Sequence, residues 1–267
     1  MSLHELTESS DCQAVYARGL QALVDANVPF LVGGGFALFA YLGRWRNTKD
    51  IDLFIQPEDL EDTLYAMARA GFTVEIADTA WLAKARMDGA LIDIIFCSYN
   101  GLFPVDESWH ANGRPAEVLG VPVRVVGPEE IIVSKCFVAA RDRFDGGDVS
   151  WLLRALGSDL DWRRIESLMK DHWQVLLWQL MHFLYVFPAA KRIVPRDTWS
   201  RLLRKMRQEL NTSAPDDDRV CRGPMLDPRL YKKDLRDRGA ADPRPRKELV
   251  EPTLLAVVGG AGTLDNE

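Results

Sequence analysis

Two carboxylates two residues apart, Asp50 and Asp52, sit in the run Lys49-Asp50-Ile51-Asp52-Leu53-Phe54. In an extended strand, alternate side chains share a face, so both acids point one way while Ile51 and Leu53 point the other. Such a pair of oxygens can clamp a divalent ion, although a strand with one wet face would alternate in the same way. A third acid, Asp93, stands in Ala90-Leu91-Ile92-Asp93-Ile94-Ile95-Phe96, a run so apolar that it is expected inside a sheet. A carboxylate there needs a cation. If the two strands are neighbours, Asp93 joins Asp50 and Asp52 in an oxygen-only site suited to Mg2+, with Mn2+ as the alternative, completed by phosphates and water. A salt bridge from a buried lysine or arginine to Asp93 is the competing explanation.

Gly33-Gly34-Gly35 follows the apolar strand expected at 29–32 and precedes a helix expected at 36–42. Bare backbone N–H groups at a helix N-terminus can hold a phosphate there, or the glycines can be a tight turn. The Gly-x4-Gly-Lys-Ser/Thr spacing of a Walker loop is missing, and Gly33-x-Gly35 does not continue into a dinucleotide fingerprint. Arg44, Arg46 and Lys49, just before the acids, can steer an anionic substrate or simply be solvated.

These side chains require a sheet. Strands are expected at 29–32, 51–55, 72–76, 81–87 and 90–97, with an edge strand at 121–126. Asp88-Gly89 favours a tight hairpin between 81–87 and 90–97. Gly127-Pro128-Glu129-Glu130 starts a helix expected to run to about Ala140, followed by helices near 148–157, 161–171, 173–187 and 196–210. The fold class is therefore α/β: a small mixed sheet with helices packed on it, then a C-terminal helical unit. The divisions are residues 1–127, 128–211 and a Pro-, Asp- and Arg-rich tail, 212–267, expected to be mobile.

Composition removes several alternatives. A net charge of −6 over 267 residues argues against a general nucleic-acid binder. The four cysteines, Cys12, Cys97, Cys136 and Cys221, form no CxxC pair and read as reduced thiols of a cytoplasmic protein. The start of the chain lacks the pattern of an export signal. Residues 173–190 contain no Asp, Glu, Lys or Arg, but Gln174, Gln179, His182 and Pro188 interrupt them, so a buried helix is expected and no membrane partner. The four histidines have no metal spacing, and no serine or cysteine sits in a nucleophile-elbow setting. The glycines at 259–262 lie in the tail, with no helix to follow them.

Taken in order, Gly34-Gly35, a helix, Asp50-Ile51-Asp52-Leu53 and a lone Asp93 in an apolar strand resemble the nucleotidyltransferase superfamily of polymerase-beta-like fold, across about residues 28–98. Gly34-Gly35-Phe36-Ala37 with Thr48-Lys49-Asp50-Ile51-Asp52-Leu53 is most similar to the abortive-infection (AbiEii) toxin and lincosamide-adenylyltransferase branches. The helix carrying Lys135, and Arg141 to Asp148 after it, resemble a Lys helix and an acidic turn of the toxin branch, with Asp145 and Asp148 both eligible for the acid. The resemblance implies that residues 1–127 form a catalytic domain. It implies metal on Asp50, Asp52 and Asp93, an NTP bound by Gly34, Gly35, Lys49 and Lys135, and NMP transfer to a hydroxyl on a small molecule, protein or RNA. In a narrower version the protein is the RNA-modifying toxin of a toxin–antitoxin pair. A non-catalytic nucleotide-binding module is the alternative from a different class.

Overall fold

The computed structural model describes residues 10–45, 48–212, 220–237, 239–245 and 247–251. The chain divides into two compact units, one made of residues up to Gly127 with those after 246, the other of Pro128–Pro245.

The first unit runs α1 (Ser10–Asp25), β1 (Leu31–Val32), α2 (Gly34–Leu42), β2 (Asp50–Phe54), α3 (Leu60–Arg69), β3 (Thr73–Asp78), β4 (Leu82–Met87), β5 (Ala90–Ile95), α4 (Glu107–Asn112), β6 (Arg114–Val118) and β7 (Val121–Val125). Its strands form a mixed sheet in the order β3-β4-β5-β2-β1-β7-β6. β2 pairs with β5, and β1 with β7, in parallel; the remaining neighbours are antiparallel. Asp88 and Gly89 both have positive φ, at 49° and 82°, which is the backbone of a two-residue type I′ hairpin and fixes the β4–β5 register.

The register sorts the sheet into two faces. Ile51 and Leu53, Ile92 and Ile94, and Ala83 and Ala85 are fully buried and form the core face. α1 contributes Tyr16, Leu20 and Leu23 to this core, and α3 contributes Leu64 and Met67. On the opposite face Asp50, Asp52, Asp93 and Lys84 are half-buried. Trp109 of α4 stacks on Phe54 there, with ring centroids 5.6 Å apart.

Two sequence readings change. Residues 121–126 are not an edge, because β6, which the sequence pattern did not disclose, pairs outside β7 through a hairpin at Leu119-Gly120. β6 carries Pro115 and Glu117, and a proline is tolerated in a strand on such an edge.

The second unit contains α5 (Pro128–Cys136), the short strands β8 (Ala139–Ala140) and β9 (Arg143–Phe144), α6 (Gly146–Leu156), α7 (Trp162–Met169), α8 (Trp173–Val186), α9 (Arg196–Asn211) and α10 (Lys232–Asp237). The helix expected to reach Ala140 stops at Cys136, and the β8–β9 hairpin follows it. α8 buries Leu176, Gln179, Leu180 and Phe183, and Gln179 donates to the Cys136 carbonyl. Among the described residues no helix is long and apolar enough to cross a membrane. Asp227 is buried, accepts from the Arg141 amide and pairs with Arg229, which fastens the segment from 220 onward within this unit.

Candidate active site on the sheet

β2 and β5 lie side by side, and Asp52 stands directly opposite Asp93 in their parallel register. Asp50, one step along the same face of β2, is opposite Leu91. One face therefore presents all three acids, half open to solvent. The apolar run around Asp93 suggested a fully enclosed site, but Leu91 and Ile95 flank it on this half-open face while Ala90, Ile92, Ile94 and Phe96 enter the core.

Each acid has a defined neighbour. Thr48 donates its hydroxyl to Asp50 Oδ1 at 2.7 Å, which fixes that carboxylate at the entry to the strand. Asp52 lies under the glycine turn: the Gly33 amide donates to the Asp52 carbonyl at 2.8 Å, and Gly34 begins α2 with φ of +53°. A Cβ on Gly34 would lie 1.7 Å from Asp52 Oδ2, so only glycine permits both the turn and the acid. α2 has no side-chain cap, leaving its first amides directed from the backbone at this end of the helix. Asp93 accepts from Lys84 Nζ at 2.6 Å, with side chains 17% and 19% exposed respectively.

Lys84 and Thr48 were not among the residues picked out from the sequence. Lys84 was within reach of it: a two-residue turn at Asp88-Gly89 sets the fourth residue before the turn opposite the fourth after it, which pairs Lys84 with Asp93. Tyr16 of α1 was missed as well. Its hydroxyl donates to the Lys49 carbonyl, and burial, followed by the nearby Cys12 and Asp50, raises its pKa.

The remaining expected residues fall as follows. Gly35 follows Gly34 in the first turn of α2 and packs near the Thr48 side chain. Lys49 and Arg44 are exposed, and Arg46 lies outside the described residues. Lys135, in the second unit, reaches Asp145 at 2.6 Å and Asp148 at 2.7 Å, so both acids that the sequence left in competition contact it. Burial would raise the Asp145 pKa, but hydrogen bonds from Arg143 and the Lys135 charge outweigh it and hold the group at about 2. The four cysteines are free thiols; burial pushes Cys97 up to about 11 and Cys136 higher still, so neither is a ready nucleophile at neutral pH.

Whether a divalent cation suits this face is a question of donor chemistry and space. Three carboxylates on two adjacent strands supply hard oxygen ligands, with Lys84 against one of them. As the side chains stand, no group of three His, Cys, Asp or Glu residues converges in metal-holding geometry among the described residues. The ligand types and strand positions fit Mg2+.

A mixed sheet with an Asp-x-Asp strand beside a second Asp-bearing strand, and a glycine turn against the first, defines an α/β domain of nucleotidyltransferase type. Residues 10–186 match the family described as "Uncharacterised nucleotidyltransferase", and the chain belongs to that family. Solved structures similar to this chain include ANT(2'')-Ia in complex with adenylyl-2''-tobramycin, at 22% identity over 60% of this chain and 96% of that one, TM-score 0.45. The lincosamide antibiotic adenylyltransferase LnuA, lincomycin-bound, is 14% identical over 54% of this chain and 96% of that one, TM-score 0.39. An antigenic nucleotidyltransferase-like protein from Paracoccidioides brasiliensis is 19% identical over 69% and 93%, TM-score 0.41. No curated protein matches the chain.

Proposed function

We propose that the protein transfers an NMP group from an NTP to a hydroxyl acceptor, with Mg2+ held by Asp50, Asp52 and Asp93. The observation that carries this reading is the parallel register that sets Asp52 opposite Asp93, with Asp50 on the same half-open face. When bound, the cation would supply charge neutralisation for the triphosphate and for the transition state. Gly34 and Gly35 give the phosphates a side-chain-free approach to the amides at the start of α2. In this reading Asp93 takes the acceptor's proton as the acceptor oxygen bonds to the α-phosphorus and the bond to pyrophosphate breaks. Thr48 keeps Asp50 oriented. Exposed Lys49 fits steering of the anionic nucleotide. The Lys135 ammonium is already shared by two aspartates, so we leave it out of the phosphate site.

An RNA acceptor, as in the toxin reading, draws support from α9. Arg204, Lys205 and Arg207 are exposed on it and make no ion pair among the described residues, in a chain of net charge −6.

The decisive assay incubates the protein with Mg2+, each labelled NTP, and RNA, protein and small hydroxyl compounds as acceptors, alongside Asp52→Asn. Label transferred by the wild type and lost in the variant supports the reading and identifies the acceptor class. Metal-dependent NTP binding without transfer to any acceptor would instead favour a nucleotide-binding module.

A further inference from the structure

Lys84 has no part in the reaction scheme above, yet it is the group closest to the third carboxylate. It stands on β4 in register with Asp93, on the side of β5 away from Asp52. Asp93 thus has an ammonium on one flank and the Asp50/Asp52 pair on the other. The next cation along the same face of β4, Arg86, pairs with Glu75 on the outer strand and stands opposite Leu91, so it does not substitute for Lys84. The contact is short, at 2.6 Å, and about four-fifths enclosed, which keeps solvent from screening it away. A lysine stem has several soft torsions, so the ammonium can withdraw by changing rotamer with no movement of the sheet.

Building on the Mg2+ reading, we propose that Lys84 is the resident counter-cation of the site: it holds Asp93 while no divalent ion is bound and has to release it when one arrives. Lys84 is then a positioning residue that keeps metal loading of the nucleotide-free chain weak. Two observations support this. The side chains about Asp93 do not converge into a three-ligand set, and the atom that engages Asp93 is Lys84 Nζ. With Lys84 neutral, Asp93 would repel the neighbouring carboxylates more strongly and be freer to bind a divalent ion. Retention of an ammonium beside an incoming divalent charge opposes binding even at the effective dielectric of a partly buried site.

The test is Mn2+ binding to the full nucleotide-free chain, followed by the paramagnetic resonance signal of free Mn2+. Lys84→Met should bind at least about tenfold more tightly than the wild type. Lys84→Arg, which keeps the charge, should stay within about threefold of it, and the gain should vanish in Lys84→Met/Asp93→Asn. Lys84→Gln serves if Lys84→Met proves unfolded by circular dichroism. Affinity unchanged or weaker in the neutral variants, while Asp52→Asn abolishes binding, would overturn the Lys84 proposal and leave the metal site standing. Mn2+ binding indifferent to Asp52→Asn would remove the metal reading, and this proposal with it.

Discussion

Lys84 in the first unit and Lys135 in the second each reach an aspartate at 2.6 Å, but they belong to clusters of opposite character. Around Lys135 the charges balance: Asp145 and Asp148 face Lys135 and Arg143, and the aspartate side chains are 0% and 3% exposed. On the sheet, Asp50, Asp52 and Asp93 share one face of two adjacent strands and Lys84 pairs with Asp93, on a face that solvent partly reaches. A cluster whose acids are buried and paired satisfies itself and ties α5 to α6 through the turn before α6. A half-open face that lines up three carboxylates offers hard oxygen ligands to a cation from solution. The same residue types therefore make a structural joint in one unit and a candidate reaction centre in the other, and the burial of the acids separates them.

The contrast can be broken most severely at Asp52. Asp52→Asn is expected to lower transfer by roughly a thousandfold, the scale of losing a preorganised electrostatic group. The melting temperature should hold or rise, because a repulsive charge is removed. A large drop in melting temperature would mean that Asp52 is structural. Asp145→Ala should do the reverse in denaturant unfolding, costing about 3–5 kcal/mol, as when one partner of a buried pair is deleted. Unaltered stability in that variant would end the distinction between the clusters.

Gly34→Ala should show both kinds of effect. The left-handed backbone costs about 1–2 kcal/mol for a non-glycine residue, and the new Cβ displaces the Asp52 carboxylate, lowering transfer by roughly a hundredfold. Transfer within a few-fold of wild type would show that Asp52 need not sit where it does.

Acid unfolding offers a finer test. The Asp145 carboxyl falls from an ordinary 3.8 to about 2 in the folded chain, so the unfolded chain binds the proton more readily. The group's stabilisation is present in full above pH 3.8 and is lost as pH falls through about 2. Asp145→Asn should flatten the stability profile across that interval; an unchanged slope would place the acid-sensitive group elsewhere. Smallest of all, Lys49→Ala should raise the KM for NTP by about threefold or less and leave kcat alone, since an exposed cation acts mainly through screened long-range attraction.

Where chemistry is carried by local pattern, the sequence was readable. The period-two alternation of Asp50 to Phe54, the glycine run at the start of α2 and the Asp88-Gly89 turn all appear in the structure. The parallel pairing of β2 with β5 did not follow from any local signal, because α3, β3 and β4 intervene and adjacency is decided by the whole sheet. α4 and β6 escaped for a related reason: each is five or six residues long, and the edge position of β6 accommodates Pro115 and Glu117, which weaken a strand pattern. Lys135 was legible as a helical lysine, but its partners arrive ten and thirteen residues later, across the β8–β9 hairpin.

The β4–β5 hairpin also bears on how the chain assembles. Lys84 and Asp93 lie only nine residues apart across a tight turn, a contact of the kind that forms in about 1–10 μs. Asp50 and Asp52 come earlier in the chain but reach their places only when β2 docks in parallel along β5, a slower, non-local step. During synthesis, therefore, the third acid can be paired before it meets the other two, and the nascent sheet is spared an uncompensated carboxylate at the edge where β2 must dock.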